Sequence, residues 1–139
     1  MIIRYFNFDR DWAWIKRRIR MLRVEDTCGF VAEKDGVQQG AIIFDSFLHN
    51  SAQGSIVIES PMVFRHKLIE TALHWLYFAV GKEYLYVMIA SNNKKALAFA
   101  NRFGLVDKTV LKNAYAPGVD YLVKELHRDN YFIQSKEAA

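Results

Sequence analysis

Apolar positions change their spacing several times along the chain, and each change marks an element. Residues 2–8, IIRYFNF, are β-branched and aromatic and predict a strand. Trp12, Ile15, Ile19 and Leu22 recur at steps of three and four, which predicts an amphipathic helix capped by Asp9 or Asp11. Lys16, Arg17, Arg18, Arg20 and Arg23 fill its other faces. After a polar break at 25–28, GFVAEKDGVQQGAIIFDSF predicts a hairpin that turns at Lys34-Asp35-Gly36. A polar turn over 49–53 leads to GSIVIES, a third strand of this meander, closed by Pro61.

From Arg65 the period becomes helical. Leu68, Ile69, Ala72, Leu73, Leu76, Tyr77 and Val80 share one face, and Gly81 stops the helix. YLYVMIA, residues 84–90, is almost wholly apolar, the pattern of a strand buried on both faces. Ser91-Asn92-Asn93 caps a second such helix, which runs through Ala96, Leu97 and Phe99 to Phe103, with Gly104 just past its end. Strands at 105–113 and 119–126 follow, joined through AYAPG, and the chain from His127 to Ala139 reads as a polar tail. The order β-α-β-β-β-α-β-α-β-β predicts an α+β domain over 1–126, a mixed and mostly antiparallel sheet with helices on both faces.

Composition narrows the classes. With 139 residues the chain is one domain's worth, and 52% hydrophobic residues with 14% aromatics argue for a packed core. No apolar run reaches the roughly 18 residues that span a bilayer, and the N-terminal stretch has no signal-peptide pattern, so a cytoplasmic protein is expected. The single cysteine, Cys28, excludes an intrachain disulfide and a multi-cysteine metal site. Its neighbours Glu25, Asp26 and Thr27 offer no cation to activate a thiolate, so a passive thiol is expected. The four histidines lack metal-ligand spacing. The net charge of +4 admits an acidic ligand. The basic helix face lacks interleaved exposed aromatics and reads as solvated rather than as a nucleic-acid surface.

Behind the buried strand stands NNKKALAFANRFGL. It resembles the segment of GNAT (GCN5-related) acyltransferases in which an Asn opens a helix, an Ala follows three residues later, and an aromatic plus Gly closes it. Here these are Asn93, Ala96, Phe103 and Gly104. Together with the element order, the resemblance covers residues 1–126. RVEDTCG, ESPMVFRH and APGVDYLVKEL further resemble small GNAT-like proteins of tailed bacteriophages. The resemblance implies acetyl-CoA as co-substrate and an amine of a small molecule or protein as acceptor. It implies a cofactor site at Ser60, Arg65, His66, Lys67, Leu68 and Asn93. It places a base at Glu59, where a raised pKa would allow action through water; paired with Arg65 or His66, the same carboxylate is only a strand-end charge. Tyr115 and Tyr121 flank the hairpin that borders the family's acceptor pocket and are candidate proton donors. Asp26 and Asp120 are candidates for attracting an acceptor amine, or are turn residues.

Two positions depart from the family pattern. The phosphate loop normally carries small residues where this chain has Leu68 and Glu70. Leu68 then adds bulk beside the phosphates, and Glu70 must turn toward solvent, Lys67 or His74 if the site is to hold an anion. The tyrosine that often protonates the departing thiolate is replaced by Ala100. The second reading is therefore a non-catalytic binding protein of this fold, such as a phage virion component or a modulator of a host protein.

Overall fold

The structure is a computed structural model and describes residues 1–131. Its centre is a seven-stranded sheet in the order β1-β2-β3-β4-β5-β7-β6. The strands are β1 (Ile2–Tyr5), β2 (Cys28–Lys34), β3 (Val37–Asp45), β4 (Ser51–Ile58), β5 (Tyr84–Ala90), β6 (Val106–Ala116) and β7 (Val119–His127). All neighbours are antiparallel except β4 and β5, which run parallel. The helices are α1 (Phe8–Lys16), α2 (Met62–Arg65), α3 (Leu68–His74), which continues into a π-helical turn at Trp75–Ala79, and α4 (Lys94–Arg102). The predicted α+β architecture is observed.

Alternation along β3 assigns helices to faces. Ala41 and Ile43 join Val31 and Val57 under Trp14 and Ile15 of α1. Ile42 and Phe44 join Phe30 and Ala32 under Leu68, Ile69, Ala72 and Leu73 of α3. Period-2 side chains therefore feed two separate cores, one on each side of the sheet. The expected turn between β2 and β3 forms at Asp35 (φ 52) and Gly36 (φ 79), the paired left-handed backbone of a tight hairpin.

Several boundaries differ from the sequence expectation. Asn7, not Asp9 or Asp11, caps α1, its side chain accepting from the Arg10 N–H at 3.1 Å. Asp11 is fully buried instead. The helix stops at Lys16, so Leu22 lies beyond it and is exposed. β4 begins at Ser51, where a polar turn was expected, because Ala52 and Gly54 face inward and continue the ladder with β3. The helix expected from Arg65 is split: Lys67 takes a left-handed conformation (φ 63) between α2 and α3. At the C-terminal end, β7 includes His127, and a helical turn at 128–131 carries Tyr131 into the core, 5.5 Å from the Tyr77 ring. The remainder of the expected tail, 132–139, lies outside the described residues. Among the described residues no helix is long and apolar enough to cross a membrane.

Candidate functional site

The parallel pair is where the sheet opens. β4 and β5 are in register only from Ser51↔Tyr84 to Gly54↔Val87. Beyond Gly54, β4 stays with β3 through Ile58, while β5 stays with β7 through Ala90. Two neighbouring strands thus part in mid-sheet and leave facing backbone edges without a ladder partner. Gly54 sits at the point of divergence, where an added Cβ would come within 2.9 Å of the Leu85 side chain.

A cavity of about 780 Å³ fills the gap. Ser55 and Ile56 of β4 and Met88, Ile89 and Ala90 of β5 form its sides. On the α3 face it is walled by Ile69, Ala96, Phe99 and Phe103; on the α1 face by the segment from Lys16 to Arg20. The cavity therefore connects the two faces of the sheet through the splay. Phe64 of α2 packs on Phe99 and Phe103 at 5.6 and 6.2 Å and holds α4 in place.

Three of the sequence candidates line this cavity. Asn93 caps α4 with its side chain, which accepts from the Ala96 N–H at 3.2 Å. Tyr115 and Tyr121 meet edge to face at 5.3 Å on the β6–β7 side, and Tyr121 stands opposite Ala90 of β5. Ala100, the position that lacks a tyrosine, is buried in the same wall.

The other candidates lie elsewhere. Glu59, just past β4, accepts from Arg18 Nε and is about half exposed; its partner is Arg18 rather than Arg65 or His66. Ser60 Oγ accepts from the Met62 N–H at 3.3 Å, at the start of α2. Arg65, His66 and Lys67 are exposed. Leu68 is fully buried, packed toward Gly40 in the α3 core, so its bulk points away from any ligand at the helix start. Glu70 borders a surface depression with Lys67, Thr71 and His74, and its Oε2 has no hydrogen-bond partner among the described residues.

Both acidic candidates on the acceptor side act as loop clamps. Asp26 accepts from the backbone N–H groups of Ser46 and Phe47 at 3.2 and 2.8 Å. Asp120 accepts from the Asn113 N–H at 2.9 Å, and this bond, with Lys112 nearby, holds its carboxyl below the usual range. Neither lines the cavity.

Sequence reasoning missed the segment after α1. Because the helix ends at Lys16, the following cations, exposed as expected, also border the cavity rim. Arg18 donates to the Trp14 carbonyl at 3.0 Å and lies 4.3 Å over the Trp14 ring, which anchors the segment. Arg20 stands 5.7 Å over the Tyr115 ring. The early stop of the helix was the missing signal, and nothing in a continuous 3.6-residue pattern announces it. Elsewhere, burial and then the charges of Asp26 and Asp45 push the Cys28 thiol up to about 11, as fits a passive thiol. Among the described residues no group of three or more His, Cys, Asp or Glu can hold a metal ion.

This architecture matches solved structures. The spermidine/spermine N-acetyltransferase SpeG from Vibrio cholerae, in complex with manganese ions, aligns with a TM-score of 0.77 at 18% identity, over 96% of this chain and 96% of that one. A variant of that acetyltransferase gives 0.78 at 20% identity, over 97% and 99%. A GNAT-family protein from Desulfovibrio desulfuricans gives 0.63 at 17%, over 73% and 69%. The chain has the GNAT acetyltransferase fold. No protein-family model matches the sequence, and no curated relative does. In the GNAT fold of this chain, the parting of β4 from β5 is the central feature, and α1 and α3 stand on opposite sides of it.

Proposed function

We propose that the chain is an acyl-CoA-dependent N-acyltransferase that passes an acetyl group from acetyl-CoA to an amine. The observation that carries this reading is the cavity through the β4–β5 splay. It admits a slender acyl thioester from the α4 side and a nucleophile from the α1 side, with unpaired strand edges between them. Similarity to N-acetyltransferase structures named for spermidine supports the same reaction class.

The residues present fit the co-substrate. The Thr71 N–H bonds the Lys67 carbonyl, so the N–H groups of Leu68, Ile69 and Glu70 have no partner within α3 and are available to phosphate oxygens. Arg65 is exposed and has no ion-pair partner among the described residues. Buried Leu68 leaves that approach clear. Free N–H edges along the parted strands can stabilise the charge that develops on the carbonyl oxygen.

The chemistry follows from this placement. The lone pair of a neutral amine forms the new N–C bond at the thioester carbonyl. The C–S bond then breaks, its electron pair leaves on sulfur, and the proton shed by nitrogen is returned to the thiolate or to water. Tyr115 and Tyr121 border the space where this proton moves and are the candidate donors. Glu59 is the candidate acceptor through water; its tie to Arg18 puts it at the rim.

A non-catalytic binding role is the second reading. It is favoured by one observation, the Glu70 carboxylate at the first turn of α3, where an anion would have to bind. The resemblance to small phage-encoded proteins and a cytoplasmic location accompany either reading. Calorimetry with acetyl-CoA separates the two. Saturable binding, weakened about tenfold or more in Arg65→Ala, is expected for the enzyme, since a charge-assisted contact contributes about 1.5–3 kcal/mol. Absence of binding by the intact chain selects the second reading.

A further inference from the structure

The cavity has a charged end, and that end names an acceptor class. Its rim on the α1 face carries Lys16, Arg17, Arg18 and Arg20, and among the described residues no Asp or Glu lines the cavity. Glu59 satisfies Arg18 alone. Arg20 has only the Tyr115 ring, and Lys16 and Arg17 have no carboxylate partner among the described residues. The two acidic residues nearest in expectation, Asp26 and Asp120, are committed to backbone N–H groups of their own loops.

This rim also lies on the other side of the sheet from the start of α3. Trp14 and Ile15 seat α1 against Val31, Ala41, Ile43 and Val57, whereas α3 covers the opposite face. Phosphates bound at the start of α3 therefore leave the cations of the α1 segment free for the acceptor.

Resting on the acyltransferase reading above, we propose that the acceptor is a small amine that carries its own anionic group, with Lys16 and Arg17 holding that anion while the nitrogen reaches the splay. A polyamine brings a second positive charge into an uncompensated cationic rim and is disfavoured. An amine with a carboxylate or phosphate gains charge-assisted contacts instead. The same cations disfavour the ammonium form of the reacting nitrogen, which raises the share of the neutral nucleophile.

The test measures thiol release from acetyl-CoA with three amines of equal chain length: γ-aminobutyrate, butylamine and putrescine. The expected order of kcat/KM is anionic, neutral, cationic, with about tenfold between the first and the last, equivalent to about 1.4 kcal/mol. A second pair, O-phosphoethanolamine against ethanolamine, tells carboxylate from phosphate by which anionic member gains more over its neutral partner. The Lys16→Ala/Arg17→Ala double variant, checked by circular dichroism and by acetyl-CoA calorimetry, should bring the anionic and cationic amines to parity. High salt should narrow their ratio in the parent. Putrescine used as well as or better than γ-aminobutyrate overturns the proposal, as does an unchanged ratio in the double variant. So does a protein that binds acetyl-CoA yet turns over neither anionic amine. Failure to bind acetyl-CoA at all overturns the acyltransferase reading instead, and calorimetry reports that separately.

Discussion

Two groups of charges sit within a few residues of each other around α1, and they are built in opposite ways. In the first, Arg4 donates to Asp11 through two nitrogens at 2.8 Å each and to Glu33 at 3.0 Å, while Arg10 reaches Glu33 at 2.9 Å. Asp11 also accepts from the Asn7 N–H and from Gln38. Cations and carboxylates are matched, and the carboxylates are buried. In the second, Lys16, Arg17 and Arg20 face solvent at a cavity rim and have no carboxylate partner among the described residues. A matched buried cluster holds a strand, a helix and a hairpin together. An unmatched exposed one is left for a ligand.

The sharpest way to break this comparison is Asp11→Ala. It leaves Arg4 with Glu33 as its one carboxylate partner among the described residues and takes the acceptor from the Asn7 N–H and the Gln38 amide, and removing one partner of a buried pair costs up to about 3–5 kcal/mol. Urea unfolding followed by circular dichroism should show that loss. If the midpoint stays put, the first cluster is no more structural than the second.

Acid gives the next effect. Burial alone would raise the Asp11 carboxyl, but the bonds from Arg4, Asn7 and Gln38 outweigh it and leave it lowered. The Arg4 hydrogen bond lowers Glu33, again against burial. Both carboxyls bind protons less readily when folded than when unfolded. Their stabilisation is therefore complete above the unfolded values of 3.8 and 4.5 and fades as pH falls through the lower folded values. Thermal melts taken downward from pH 6 should show the decline beginning near those values, and Asp11→Asn should flatten it.

The smallest effect sharpens the contrast from the other side. Arg17→Ala removes an exposed, unpaired charge, so stability should move by no more than about 0.5 kcal/mol. A larger loss would mean that the rim is part of the scaffold.

Much of the fold was legible because period 2 and period 3.6 report which face of an element is covered. The turn at Asp35-Gly36, the Asn93 cap and the Gly104 stop all follow from local chemistry. Asp11 was misread for the opposite reason. Its identity suits a helix cap, but its role is decided by Arg4 on β1 and Gln38 on β3, partners that neighbouring sequence does not reveal. The apolar spacing rightly put Leu68 on one face with Ile69, Ala72 and Leu73, and that burial is at odds with the bulk expected of it beside the phosphates. Of the site, Asn93, Tyr115 and Tyr121 were read to positions that line the cavity. The cationic rim was not, since it depends on where α1 stops.

The splay has a mechanical meaning as well. The strands β1 to β4 and the strands β5 to β7 are joined in the sheet through only four residue pairs, Ser51↔Tyr84 to Gly54↔Val87. That short run is a seam, extended at one end by the Glu83 and Tyr84 N–H groups, which both donate to the Asn50 carbonyl at 3.1 Å. Side chains also bridge the halves: Phe64 packs against Phe99 and Phe103, and Lys82 donates to the Leu48 and His49 carbonyls. The three rings stand on α2 and α4, which follow β4 and β5, so a smaller side chain at any of the three is expected to loosen the open end of the jaw rather than unfold the molecule.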